Sequence, residues 1–425
     1  MKTIQMALGV GLAVALLGGC GGSDSTTVSS DADGGTGTGS GGNITAFTGK
    51  ANWTAATPPT GATSCFDFDL GVEVPACDGT AWDVKLVGGR AASLATNSGP
   101  NGSGSGGAFG SPFDHEWSTL QTWTSATVDP SGAPIPINLY APDTAAGAFT
   151  GDSDIASAAF EYNLMGDHRL HPNFRVFLVT TDSTNVDSVG SAASPVYAVQ
   201  LAGYYGGATG TESGHVFVQW LDRAQPAAVR TASFNARNGW AYLDLATGAL
   251  SSESGSWQIA FDRYRVKLNG GISGTGKVAG LLASTPDGLY DGDGAPIVAA
   301  FESANAQAMQ ARLTASDLEA PARASDWIAD AASSTLAPAY AGQYPQALDY
   351  GWYRYFPTAD AAAQAGLPAV AHSLAANPER ASLIRSGSGD SYARMRLTSI
   401  VYADPADSAS AQTWTIEFDV QPANP

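Results

Sequence analysis

The sequence predicts an all-β protein, mainly antiparallel with minor helix, in which two copies of one β-rich domain follow an export leader. Three observations predict it. Short β-branched and aromatic runs alternate with clusters of Gly, Pro, Asn and Asp, the pattern of strands separated by turns. Only 14% of the 425 residues are charged while 50 are glycine, and 44% are hydrophobic, which supplies a core and excludes wholesale disorder. A set of short blocks also recurs in the same order along the chain. With 20 Lys+Arg against 39 Asp+Glu the net charge is −19, so there is no basic surface for nucleic acid.

The chain opens with an address. Met1-Lys2 is a short positive region and Ile4 to Leu17 an apolar stretch too short to span a bilayer. Leu17-Gly18-Gly19-Cys20 has the bacterial lipobox pattern, in which a thiol flanked by small residues accepts diacylglycerol. Residues 1–19 are therefore read as a lipoprotein signal peptide and Cys20 as the lipidated residue, whose several acyl chains suffice for stable anchoring. Gly21 rather than Asp follows it, which by the sorting rule favours the outer membrane; the side it faces stays open. Residues 20–43, rich in Gly, Ser and Thr, are read as a flexible tether.

The two remaining cysteines, Cys65 and Cys77, bracket an alternating apolar and acidic run around Gly71. The reading is a hairpin closed by a disulfide, worth about 3 kcal/mol by loop closure. A metal would need more ligands than Asp67, Asp69 and Asp78 provide. Further on, the clearest strand runs are Trp82–Val87, Phe174–Thr180, Val196–Tyr205, Trp257–Leu268, Tyr392–Tyr402 and Trp414–Val420. The Ala-rich stretch from Ile297 to Leu318 lacks Gly and Pro and reads as a helix.

The recurring blocks define a duplication. Phe68-Asp69-Leu70 and Trp82-Asp83-Val84 return as Leu243-Asp244-Leu245 and Trp257-Gln258-Ile259. Asn97-Ser98-Gly99 returns as Asn269-Gly270-Gly271, and Asp129 to Ile135 as Asp291 to Ile297. Phe160 and Tyr162 answer Tyr353 and Tyr355, and His168-x-Leu170-x-x-Asn173 answers His372-x-Leu374-x-x-Asn377. Val216 to Trp220 answers Trp414 to Phe418. The expected domains are residues 44–230 and 231–425.

Trp257-Gln258-Ile259-Ala260-Phe261-Asp262-Arg263-Tyr264 and Lys267 to Gly274 resemble the HmuY-like lipoproteins. So do Trp352-Tyr353-Arg354-Tyr355, His372-x-Leu374, Ser382 to Arg385 and Tyr392-Ala393-Arg394. The second copy carries the resemblance over most of its length and the first more loosely. The resemblance implies a lipid-anchored β-rich protein that binds haem for iron acquisition and passes it to a TonB-dependent outer-membrane receptor. Relatives differ in the side chains that hold the iron, so no ligand positions are carried over.

Haem needs axial donors of the His, Met, Cys or Tyr type in an apolar slot. His168 and His372 stand at equivalent points before a strand, and Met165 and His171 flank the first of them, offering a second donor. Phe160, Tyr162, Tyr353 and Tyr355 would wall the porphyrin, with Arg169 or Arg354 meeting its propionates. The competing reading of both histidines is a loop imidazole that holds its turn. His215 reads as a surface residue, and His115 in Asp114-His115-Glu116-Trp117 as a solvated turn residue, with a metal site as the alternative. Gly271 to Lys277 matches a P-loop until Val278 replaces the required Ser or Thr, and Asp287, Asp291 and Asp293 read as a β-turn rather than a calcium loop. No hydrolase signature occurs, so the expectation is a binding protein rather than an enzyme. The rival class is an interaction lipoprotein that keeps the fold without the ligand.

Overall fold

The computed structural model describes residues 46–89, 91–151, 155–185, 194–321 and 323–423. The signal peptide, Cys20 and the tether lie outside the described residues. Among the described residues no helix is long and apolar enough to cross a membrane.

Antiparallel strands dominate, as the alternation requires. Along Tyr392–Tyr402, Ala393, Met395 and Leu397 are buried while Arg394 and Arg396 point away. Trp257–Leu268 forms a hairpin rather than one strand, with Ile259–Asp262 and Arg265–Leu268 joined at Arg263, whose φ is 54°. Thr63–Asp67 pairs with Val72–Val74, and a Cys65–Cys77 disulfide closes the hairpin with the Cα atoms 5.5 Å apart. The expected long helix is broken into Val298–Ser303, Ala306–Met309 and a 3-10 turn at Gln310–Thr314. Asn305 causes the break, being extended while its side chain accepts from Ala308 N and caps the second piece.

The compact units are cut differently from the repeat. A terminal unit comprises the chain up to Asn97, Gly104–Pro142 and Thr335 onward; a central unit comprises Ser98–Ser103 and Asp143–Ser334. Neither corresponds to 44–230 or 231–425. The main sheet of the terminal unit runs Gly49–Ala56, Gln412–Gln421, Tyr392–Tyr402, Arg380–Arg385, Gly107–Phe109. Its first and last strands come from the first copy and its middle three from the second. The central sheet reverses the contributions: Arg230–Asn235 and Ala279–Ser284 of the second copy flank Glu212–Asp222, Val196–Gly206 and Val176–Thr180 of the first. Each sheet thus draws its strands from both of the segments 44–230 and 231–425.

Two short segments of the central unit pair with matched neighbours. Thr144–Ala146 pairs antiparallel with Ala331–Ser333, with Ala145 opposite Ala332 and Thr144 opposite Ser333. Just before each segment an Asp backbone leaves no room for a Cβ at a Gly: one at Gly99 would lie 2.0 Å from Asp143 O, and one at Gly271 1.8 Å from Asp330 O. The glycines of the P-loop-like run therefore serve close backbone packing, and Lys277 pairs with Asp182. The Asp129 and Asp291 turns are built alike. Asp129 accepts from Ser131 and Ala133 N–H, and Asp291 from Asp293 and Ala295 N–H.

Each unit has one main aromatic core. In the terminal unit Phe66 stacks between Trp53 and Phe418, with centroids 5.3 and 5.4 Å away, so residues of both copies fill one space. Fully burying such a side chain contributes about 1.5–3 kcal/mol. Asp83 ties the same copies together, accepting from Phe68 N and Gly387 N at 2.8 Å each. Burial pushes its carboxyl up to about 7 despite both bonds.

Two predictions follow from this arrangement. Reducing Cys65–Cys77 should raise hydrogen exchange along Tyr392–Gln421 as well as along Gly49–Asp67, and leave Val196–Asp222 protected. Protection retained at Tyr392–Gln421 would contradict the stabilising role of the hairpin in the shared sheet. For Asp83, the folded pKa lies above the unfolded value of 3.8, so its contribution is best below that value and is lost as pH rises towards 7. The melting temperature should rise on going from about pH 8 to about pH 5. Asp83→Asn should flatten part of that rise while lowering stability overall, because an amide NH2 cannot accept one of the two N–H bonds. An unchanged slope in the variant would refute the assignment.

Candidate functional site

The strand Tyr353–Phe356 is held between Leu348–Asp349 and Ser373–Ala376. Tyr353 and Tyr355, two residues apart, point to one face; Arg354 between them points to the other and is exposed. Arg354 therefore turns away from the face expected to meet propionates. That face opens onto a cavity of about 580 Å³ walled by Tyr350, Tyr353, Tyr355, His372 and Leu374 of the second copy and by Ala91 of the first. Tyr350 stacks on Tyr353 with centroids 5.1 Å apart and planes at 16°. Burial raises the pKa of both hydroxyls, so both rings stay neutral at physiological pH. A second, apolar cavity of about 470 Å³ shares Leu374 and Ser408 and is lined further by Val370, Ile400, Val401 and Pro405.

His372 immediately precedes the strand Ser373–Ala376 in a left-handed conformation, φ 64°, and its N–H donates to Phe356 O at 2.7 Å. Its Nδ1 lies 2.6 Å from Tyr355 Oη. Two residues on, Leu374 N donates to Tyr402 Oη at 2.7 Å. The central unit repeats this construction: His168 has φ 54°, its Nδ1 lies 3.4 Å from Tyr162 Oη, and Leu170 N donates to Tyr205 Oη at 2.9 Å.

The two leading histidines thus occupy equivalent positions in different compact units, His168 in the central and His372 in the terminal one. Met165 is exposed in the loop beside His168. His171 Nε2 is held 3.2 Å from Asp167. Phe160 does not wall a pocket; it is fully buried against Tyr204 in the central core. Arg169 sits over Tyr205, its guanidinium carbon 4.1 Å from the ring centroid. Among the other donors, Met395 is buried in the terminal core and Met309 packs beside Phe174 and Phe301. His215 faces Glu212 at 3.5 Å. His115 is not a solvated turn residue: it sits in a short strand against Phe109 and Trp123, and burial lowers its pKa.

Sequence reasoning missed the tyrosine–histidine pairs, taking Tyr162 and Tyr355 as walls alone. The signal was present, because both tyrosines and both histidines recur in matched blocks. It missed Tyr350 altogether.

Residues 236–418 match the profile of the family described as HmuY protein. No curated protein and no solved structure matches the chain. The matched segment contains the whole tyrosine and histidine part of the cavity, and over residues 236–418 this chain is similar to the HmuY family.

Proposed function

We propose that the protein is a haem-binding lipoprotein of the outer membrane that serves iron acquisition and passes haem to a TonB-dependent receptor. The observation that carries this reading is the cavity beside His372, inside the segment that matches a family associated with haem binding and uptake. The residues suit an iron porphyrin: flat aromatic walls, oxygen and nitrogen donors from Tyr355 and His372, and a volume of about 580 Å³ within the usual range of ligand sites. Haem would supply the iron and a large apolar face; the chain supplies the slot, the donors and shelter from water. His168, with Met165 and His171 near it, is the corresponding donor set of the central unit. The net charge of −19 repels anionic propionates at long range, so binding relies on contact rather than steering.

Titration of the full chain with ferric haem should give a sharp Soret band, and His372→Ala should shift it and weaken binding about 10- to 100-fold. His168→Ala should change it less. A wild-type chain without a Soret band would leave the interaction lipoprotein as the reading. For the anchor, Cys20→Ser should abolish incorporation of labelled fatty acid and release the chain from the membrane fraction. Continued labelling of the variant would refute lipidation at Cys20.

A further inference from the structure

We propose that the apolar cavity of about 470 Å³ is a docking slot for an uncharged, extended peptide segment of a partner protein, which pairs its backbone with the open edge of Ser373–Ala376. Such docking does not depend on haem.

Two open strand edges border this cavity. Ser373–Ala376 is the last strand of its three-stranded sheet and pairs with Tyr353–Phe356 on one side only. Asn377 N–H donates to Trp352 O, so antiparallel alternation turns the peptide groups of Leu374 and Ala376 to the other, unpaired edge. Along Tyr392–Tyr402, the neighbouring Arg380–Arg385 covers one edge only as far as Met395. Ala403 N–H donates to Ala411 O, which turns the peptide groups of Ile400 and Tyr402 away from Gln412–Gln421 and towards the uncovered edge. Among the described residues no strand pairs with either open edge. The cavity is lined by Ser373–Ala376 and by Thr398–Tyr402. One substitute for a missing neighbour is already in place: Leu374 N–H donates to Tyr402 Oη at 2.7 Å, where an adjacent strand would offer a carbonyl.

The lining identifies the occupant. No Asp, Glu, Lys, Arg or His lines the cavity, so a charged ligand would be buried there without a partner. Leu367, Pro368, Val370 and Ile400 give apolar walls. Ser373, only 9% exposed, lines the same space, and its buried Oγ has no hydrogen-bond partner among the described residues. Unpaired peptide groups and a lone hydroxyl beside apolar walls cost free energy until something bonds to them. A hydrocarbon chain fills such a volume and bonds to none of them. An extended peptide does both, its backbone meeting the edge while alternate side chains enter the cavity.

The test uses the full chain and an acetylated, amidated, fluorescein-labelled heptapeptide of alternating Val and Thr, followed by fluorescence polarisation, with melting curves to confirm that each variant folds. Wild type should bind the peptide saturably, and 1-decanol should not displace it. The same peptide N-methylated at alternate nitrogens should bind at least about tenfold more weakly, because it loses its donors to the edge. Ala376→Pro should weaken binding about three- to tenfold, because it removes an N–H that points to the open edge and leaves the ladder to Tyr353–Phe356 intact. Val370→Trp should abolish binding by filling the cavity. Should a variant fail to fold, hydrogen exchange of wild type decides: the peptide should slow exchange along Ser373–Ala376, and unchanged exchange there overturns the inference. If the N-methylated peptide binds as well as its parent, or decanol displaces the peptide, the cavity holds a hydrocarbon chain and the inference is overturned. A wild-type chain that binds no peptide overturns it too, and a concentration-dependent dimer in sedimentation would then assign the edge to a second copy.

Discussion

The antiparallel ladder between Gly49–Ala56 and Gln412–Gln421 is the constraint on which the terminal unit depends. It runs from Gly49 opposite Val420 to Ala56 opposite Thr413, so the first described strand of the chain is paired with the last. Trp53 on one strand and Phe418 on the other bracket Phe66, and Trp414 meets Tyr353 edge-on at 5.5 Å. The cavity wall is therefore fixed from behind by residues that only the ladder brings together. Loop-closure entropy grows slowly with length, which is why a contact spanning nearly the whole chain is thermodynamically tolerable.

Strand character, the disulfide hairpin and the Asp129 and Asp291 turns were legible because each rests on residues close in sequence. The distribution of strands between the two sheets was not, because matched blocks near the ends of 44–230 and 231–425 carry the same pattern of buried residues. Trp220 and Phe418 stand at matched positions and are buried in their respective cores, which no periodicity can assign to one unit or the other. The broken helix was misread because Asn305 was counted as a helix residue when its side chain serves as a cap. At the site, the histidines were found by their repeat, whereas their tyrosine partners were seen only as apolar surface. A phenol is both, and only distance shows which role it has.

The two tyrosine–histidine pairs share one construction in different surroundings. The backbone frame is common to both: a left-handed histidine, and a leucine N–H two residues later donating to a distant tyrosine. The surroundings differ. In the terminal unit Tyr350 and Tyr353 stand beside the pair; in the central unit the corresponding aromatic, Phe160, has been drawn wholly into the core. The frame is common to both pairs while the walls differ, so the two pairs offer unequal environments to a ligand.

The pairing of first strand with last also sets an order of assembly. As the chain emerges during synthesis or export, everything needed for the central sheet is present once Ala279–Ser284 has appeared. The terminal sheet must wait for Gln412–Gln421, so Gly49–Ala56 and the cysteine hairpin spend most of that interval without their permanent neighbours. A chain interrupted anywhere before its last strand leaves Trp53 and Phe66 uncovered, and such an exposed edge is what proteases and chaperones recognise.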